Sequence, residues 1–321
     1  VLKETQFVID WVEKKVRGKK ELQIVPLHVS LLDVAKSMSK EISYSRLDFL
    51  PYSKPESLRN PERAFNQFTG LVSEHDFTPR PREQLESELE KVLYQIREIL
   101  CNGDIPSYNY LMHWLAHTVQ RPEVKIGVTT IIRSQEGAGK SCFWEWFGKF
   151  VIGEKYYLPA RMNKVVKQFN AIAKNNLFTL FEETKNGEGH KAHEDLKTMI
   201  TDPWQVIEPK GIDSYKTRSY SNYVILTNEH YPVKLTANDK RFFCLDANNR
   251  HKADREYWTG LRALIDNPEV APKYAATFYE YLQTFDLTTW DSKPVETQMR
   301  RDLKAASLPL PTQFLLEVVR G

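Results

Sequence analysis

Cysteine is scarce: three in 321 residues, Cys101, Cys142 and Cys244, far apart and with no C-x-x-C pair. That excludes a disulfide framework and the usual zinc spacings, and leads us to expect a reducing, cytoplasmic setting. No apolar run approaches the ~18 residues of a membrane span, and we expect no signal peptide. An excess of one charge is missing too: 45 Lys and Arg oppose 42 Asp and Glu, for a net charge of +3. A nucleic-acid contact therefore has to come from a local patch rather than from bulk charge. Internal repeats and low-complexity runs are lacking. Because the first residue is Val rather than Met, we expect a piece cut from a larger protein. What is present, 41% hydrophobic residues over 321 positions, suffices for a full core and two or three domains.

Residues 1–80 form a region of uncertain fold, with a short helical start in FVIDWVEKKV and then a Pro- and Ser-dotted passage. The prolines of TPRPREQ set a boundary. Beyond it, Leu85, Leu89, Val92, Leu93, Ile96, Ile99 and Leu100 fall on one face of a helix, and YNYLMHWLAHTVQ makes a second helix ending at Arg121 and Pro122. These two make residues 81–121 a helical, collar-like region. From 122 to 250 the pattern alternates. Strands KIGVTTIIR, YYLPA, LFTLFEE, YVILTN and RFFCLD are interleaved with helices SCFWEWFGKFVI, NKVVKQFNAIAKN and HEDLKTMIT. Five strands with helices between them predict an α/β, three-layer domain with a mostly parallel sheet. Residues 251–321 read as helical, a lid or docking element.

The chemistry starts at SQEGAGKS, residues 134–141, between a predicted strand and a predicted helix. It matches the phosphate-binding pattern G-x-x-x-x-G-K-[ST] except that Ser134 stands at the first glycine. Gly137 and Gly139 let the backbone approach phosphates, Lys140 can reach the β- and γ-phosphates, and the Ser141 hydroxyl can hold Mg²⁺. Ser134 is tolerable there if its φ stays negative. LFTLFEE ends a buried-type strand in Glu182 and Glu183, one to hold the metal and one to polarise an attacking water. YVILTN ends in Asn228, placed to touch the γ-phosphate or hold the water. NDKRFF offers Arg241, with Lys240 as the fallback, as a residue reaching a neighbouring subunit's phosphate. EPKGIDSYKTRSYSN mixes Lys210, Lys216 and Arg218 with Tyr215 and Tyr220, a mixture suited to backbone neutralisation and base stacking on a single strand. Each has a plainer reading. The loop can be a strand-to-helix turn, the acids a solvated strand end, Asn228 a turn former, the basic residues a hairpin surface.

In this order the motifs resemble a superfamily 3 helicase of the viral, phage or plasmid primase-helicase type, within the AAA+ ATPases. SQEGAGKS stands as Walker A, LFTLFEE as Walker B, PKGIDSYKTRS as the B-prime segment and YVILTN as motif C. The specific part spans residues 126–246. The resemblance implies an AAA+-like P-loop domain flanked by mainly helical regions. It implies ATP bound through Gly137, Ala138, Gly139, Lys140, Ser141 and Cys142, with Mg²⁺ at Ser141 and Glu182. Glu183 would activate water, Asn228 would sense the γ-phosphate, and Arg241 would act in trans. Lys210, Lys216 and Arg218 would grip single-stranded DNA in the channel of a ring, expected to be hexameric. A primase or primase-polymerase, fused or associated, is the expected partner, in the host cytoplasm if the chain is viral. Two departures stand out: Ser134 in the loop, and Glu at both Walker B acids, which leaves their two roles exchangeable. Other AAA+ DNA motors or loaders, or an inactive DNA-binding scaffold, are the competing readings.

Overall fold

A computed structural model describes residues 6–15, 22–30, 46–51, 64–162, 174–182, 190–207, 213–309 and 311–312. The chain divides into two units, residues 1–67 and 68–321.

In the first unit, β1 (Gln6–Lys15) pairs antiparallel with β2 (Leu22–Ser30), with a register shift between Val8 and Asp10. Two short strands, β3 (Arg46–Asp48) and β4 (Ala64–Asn66), pair in parallel. The helical start expected in FVIDWVEKKV is therefore a strand, and the described residues before 68 include no helix. The physical reason lies in composition. Phe7, Val8, Ile9, Trp11 and Val12 satisfy helical i, i+4 spacing, but aromatic and β-branched residues favour the extended chain once a partner strand is available.

The second unit opens with a broken helix, α1 (Arg82–Glu88) and α2 (Glu90–Tyr94), running on as a π-helical turn, Gln95–Leu100. All seven apolar residues named above are buried, and the wider π turn also buries Gln95 at 0% exposure. Helix α3 (Ile105–Gln120) starts at Asp104, whose carboxylate accepts the Ser107 N–H at 3.0 Å, and it stops before Pro122.

The central sheet contains β5 (Thr129–Arg133), β6 (Tyr157–Ala160), β7 (Phe178–Phe181), β10 (Asn222–Thr227) and β11 (Phe242–Asp246). All pairings are parallel, in the order β11-β5-β10-β7-β6. β7 and β10 are buried along their whole length, the mark of a sheet covered on both faces. Alternation sorts the two faces. Ile131, Phe181, Tyr223, Ile225, Phe242 and Cys244 pack with Leu196 and Ile200 of α5 (His190–Thr201) and with Met299 and Leu303 of α8 (Gln298–Ala306). On the other face, Phe178 stacks on Trp144 at 6.0 Å and Phe243 meets Tyr110 at 4.4 Å. These partners come from α4 (Lys140–Trp146, continuing as a π-helix, Phe147–Gly153) and from α3. Helix α7 (Ala271–Gln283) adds Phe278 to the same aromatic layer, 5.5 Å from Trp146.

A two-stranded antiparallel hairpin, β8 (Trp204–Ile207) and β9 (Tyr215–Arg218), leaves from the N-terminal edge of the sheet just before β10. Helix α6 (Arg255–Ile265) follows β11 and is capped by Asp254, which accepts the Tyr257 N–H at 3.0 Å. The helix read over NKVVKQFNAIAKN lies almost wholly outside the described residues. No described helix is long and apolar enough to cross a membrane.

Candidate functional site

The chain leaves β5 at Arg133 and turns through Ser134 and the glycines into α4. Ser134 is buried. Its N–H donates to the Thr227 carbonyl at 3.2 Å, and its hydroxyl donates to the Gln135 carbonyl at 3.0 Å. Among the described residues only Asn102 and Asn175 combine a side chain with a positive φ, so Ser134 keeps the ordinary backbone its side chain needs. Gly137 and Gly139 carry φ of +81° and +69°. Gly139 has a second constraint: a β-carbon there would lie 1.8 Å from Cη2 of Trp258. The six-membered ring of the indole abuts the loop at this point, and its own Nε1–H donates to the His251 carbonyl at 2.6 Å.

Because β10 is inserted between β5 and β7, the C-terminal ends of three neighbouring strands converge. Lys140 from the loop donates to Oδ1 of Asn228, the residue after β10. Glu182 follows β7, its N–H donating to the Ala160 carbonyl at 3.1 Å. Gly137, Gly139, Lys140, Ser141, Glu182 and Asn228 line one open cleft of about 660 Å³. Ala138 is buried in the loop. Cys142 lies behind it: its thiol donates to the Gly139 carbonyl at 3.0 Å, and burial pushes its pKa up to about 12. Glu183 lies outside the described residues.

No group of three or more His, Cys, Asp or Glu side chains placed to hold a metal occurs among the described residues. Among the hydroxyls (Ser141, Thr227) and carboxylates (Glu136, Glu145, Glu182) that border the cleft, Ser141 and Glu182 are the pair expected to hold a metal. That donor set fits Mg²⁺, which takes one or two protein oxygens and completes its octahedron with phosphate and water.

Arg241 is at the opposite end of the sheet. Its carbonyl accepts the Thr129 N–H, at the start of β5, and its guanidinium forms a fork with Asp239 (Nε 3.1 Å, the second nitrogen 2.9 Å). Asp239 is 4% exposed and its carbonyl accepts from Arg300 of α8. Arg241 thus does not meet Lys140 within one chain, and neighbouring Lys240 is exposed.

Lys216 and Arg218 project from β9. The Arg218 guanidinium sits 5.4 Å over the Trp204 ring, and Lys174 sits 5.3 Å over Tyr215. Trp204 and Tyr215 remain 49% and 37% exposed, so the hairpin presents cations and accessible aromatic faces together. Lys210, between β8 and β9 in sequence, lies outside the described residues.

The sequence reading missed one wall of the cleft. Lys252, Trp258 and Arg262, all from residues 251–262, face the loop, together with Glu145 of α4. Lys252 donates to the Gln135 side chain at 3.2 Å. Buried Gln95 accepts from the Tyr257 hydroxyl at 2.5 Å and donates to the Gly139 carbonyl at 3.5 Å. The available signal was Trp258 and Arg262 at i, i+4 on an amphipathic helix, with nothing local to say which face of the sheet they would meet.

Residues 132–242 match a family of unknown function (DUF5906), a span from the end of β5 to the start of β11. A DNA primase-polymerase from Nitratiruptor phage NrS-1 is 26% identical over 208 residues, covering 62% of this chain and 28% of that protein. The chain therefore spans less than a third of that relative. The apo structure of the NrS-1 C-terminal region (305–718) aligns over 90% of this chain and 68% of its own, with a TM-score of 0.66 at 19% identity. Its A form aligns over 95% of this chain and 71% of its own, with a TM-score of 0.64. At that identity the likeness concerns the fold.

Proposed function

We propose that this chain is the ATP-hydrolysing motor part of a phage-type DNA replication protein, a superfamily 3, AAA+-type ring helicase that moves on single-stranded DNA. The observation that carries this reading is the Lys140–Asn228 contact across adjacent strand ends, with Glu182 on the next strand over. A strand inserted between the loop strand and the acid strand sets an amide between a cation and a carboxylate, where a γ-phosphate would be sensed. Similarity to a phage primase-polymerase supports the replication setting.

In this reading the N–H groups around Gly137 and Gly139 cradle the phosphates, Lys140 neutralises the β/γ charge, and Asn228 exchanges its lysine contact for the γ-phosphate. Mg²⁺, when bound, neutralises phosphate oxygens. Ser141 and Glu182 are the residues that would hold it. Glu183 polarises the attacking water. Arg241, pre-oriented by Asp239 at the far end of the sheet, serves a neighbouring subunit, which requires a ring, expected to be a hexamer. The hairpin of β8 and β9 grips the strand: Lys216 and Arg218 neutralise its backbone, while Trp204 and Tyr215 offer stacking faces. The primase or primase-polymerase partner belongs to the same proposal.

The test is ATP hydrolysis by residues 1–321 with and without single-stranded DNA, with Glu183→Gln as the blank. Turnover that rises with the strand and disappears in the variant supports the motor. A folded chain that neither binds nor hydrolyses ATP refutes it and leaves a DNA-binding scaffold.

A further inference from the structure

Lys125 precedes β5 and belongs to none of the motifs, yet its ammonium is fully engaged. Nζ donates to the Met199 carbonyl at 2.5 Å, the Asp202 carbonyl at 3.0 Å and the Ser219 hydroxyl at 3.3 Å. An ammonium has three donors, and all three are used. The acceptors belong to one device. Met199 lies in the last turn of α5, Asp202 lies two residues before β8, and Ser219 immediately follows β9. The lysine ties the two ends of the hairpin stem to each other and to the helix before them. The Ser219 N–H adds a second tie, donating to the Pro203 carbonyl at 2.9 Å.

The anchor is itself fixed to the sheet. The Ile126 N–H donates to Oδ1 of buried Asn222 at 3.1 Å, and Asn222 opens β10. The ammonium also sits 5.4 Å over the Tyr223 ring. Tyr223 stacks on Phe181 at 5.8 Å with 8° between the planes, and Phe181 is the residue before Glu182. One side chain therefore touches the hairpin root, the end of α5 and Tyr223, whose ring stacks on Phe181 of the acid strand.

We propose that Lys125 is a positioning residue: it locks the hairpin stem to the sheet, so that strand contact on the hairpin and turnover in the cleft are mechanically joined. This rests on reading the hairpin as the single-strand grip. The structural half of the proposal, the lock itself, stands apart from that reading.

The experiment compares wild type, Lys125→Met, Lys125→Arg and Ser219→Ala in the 321-residue chain. Hydrogen exchange is followed in residues 202–219, and ATPase kinetics are measured with and without single-stranded DNA. Losing the tie should speed exchange in that segment about tenfold, while β5 and β10 stay protected. The same variant should keep the KM for ATP and the unstimulated kcat but lose the DNA-stimulated increment. Lys125→Arg should recover much of both, which a bulk packing defect would not. Ser219→Ala, which removes a single acceptor, should fall between and decides the matter if Lys125→Met does not fold. Wild-type exchange in both Lys125→Met and Ser219→Ala overturns the lock, and wild-type DNA stimulation in Lys125→Met overturns the coupling. If the wild type shows no DNA stimulation, the helicase reading and the coupling fall together. The exchange data then still decide whether Lys125 pins the stem.

Discussion

A methyl group at Gly139 tests whether the residue 251–262 wall packs on the 134–141 loop. The added carbon would lie 1.8, 2.5 and 2.6 Å from three indole carbons of Trp258, where carbon atoms normally stand ~3.5–4.0 Å apart. The ring has to withdraw, straining or breaking its 2.6 Å bond to the His251 carbonyl. Overpacking of this kind costs about 1–3 kcal/mol. The left-handed backbone at φ +69° adds about 1–2 kcal/mol for any residue with a β-carbon. Gly139→Ala should therefore destabilise the chain by about 2–5 kcal/mol. Urea denaturation of Gly139→Ala, Trp258→Ala and the double variant separates the two contributions. With the indole gone only the backbone strain remains, so Gly139→Ala should then cost about 1–2 kcal/mol, a coupling of about 1–3 kcal/mol. A cycle additive to within ~0.5 kcal/mol would refute the contact.

Three other outcomes follow from the same geometry. Lys140→Met removes a charged donor from the cleft and should weaken ATP binding about 10–100-fold by calorimetry, with the thermal midpoint little changed. His117 is held down to about 4 by burial, with Arg121 adding to the effect, against an ordinary 6.5. The unfolded chain takes up this proton as pH falls through 6.5 while the folded chain resists until about 4. The contribution is thus complete above 6.5 and is lost between 6.5 and 4, by as much as ~3 kcal/mol. His117→Gln should flatten the stability profile in that window. Burial raises all three thiols, Cys142 and Cys244 to about 12, so an alkylating reagent at neutral pH should label the native chain slowly and the urea-unfolded chain fully.

The sheet was legible because strands buried on both faces read as continuous apolar runs, as LFTLF and YVILT do. Their edges were less so: KIGVTTIIR reads as a nine-residue strand, but Gly127 takes φ +73° and the ladder begins at Thr129. Lys140, Glu182 and Asn228 could be nominated because chemistry at strand ends needs only the run and the residue after it. FVIDWVEKKV was misread because ten residues satisfy both periods, and the deciding partner, residues 22–30, is supplied by pairing rather than by local pattern. Trp258 and Lys125 escaped for a different reason. Each acts on residues some 75–120 positions away, and no local periodicity encodes such a meeting.

The wall contributed by residues 251–262 bears on how this protein can be dissected. Motif boundaries invite a cut near residue 250, and the family match ends at 242. A chain ending there would lose Trp258 from above Gly139 and Tyr257 from Gln95. It would also lose Met299 and Leu303 from one face of the sheet and Phe278 from the other. Every motif would survive in sequence, while each face of the sheet would lose part of its apolar cover. The motif-bearing stretch and the folding unit are thus different lengths of chain, and a fragment chosen by the first should precipitate where one chosen by the second stays in solution.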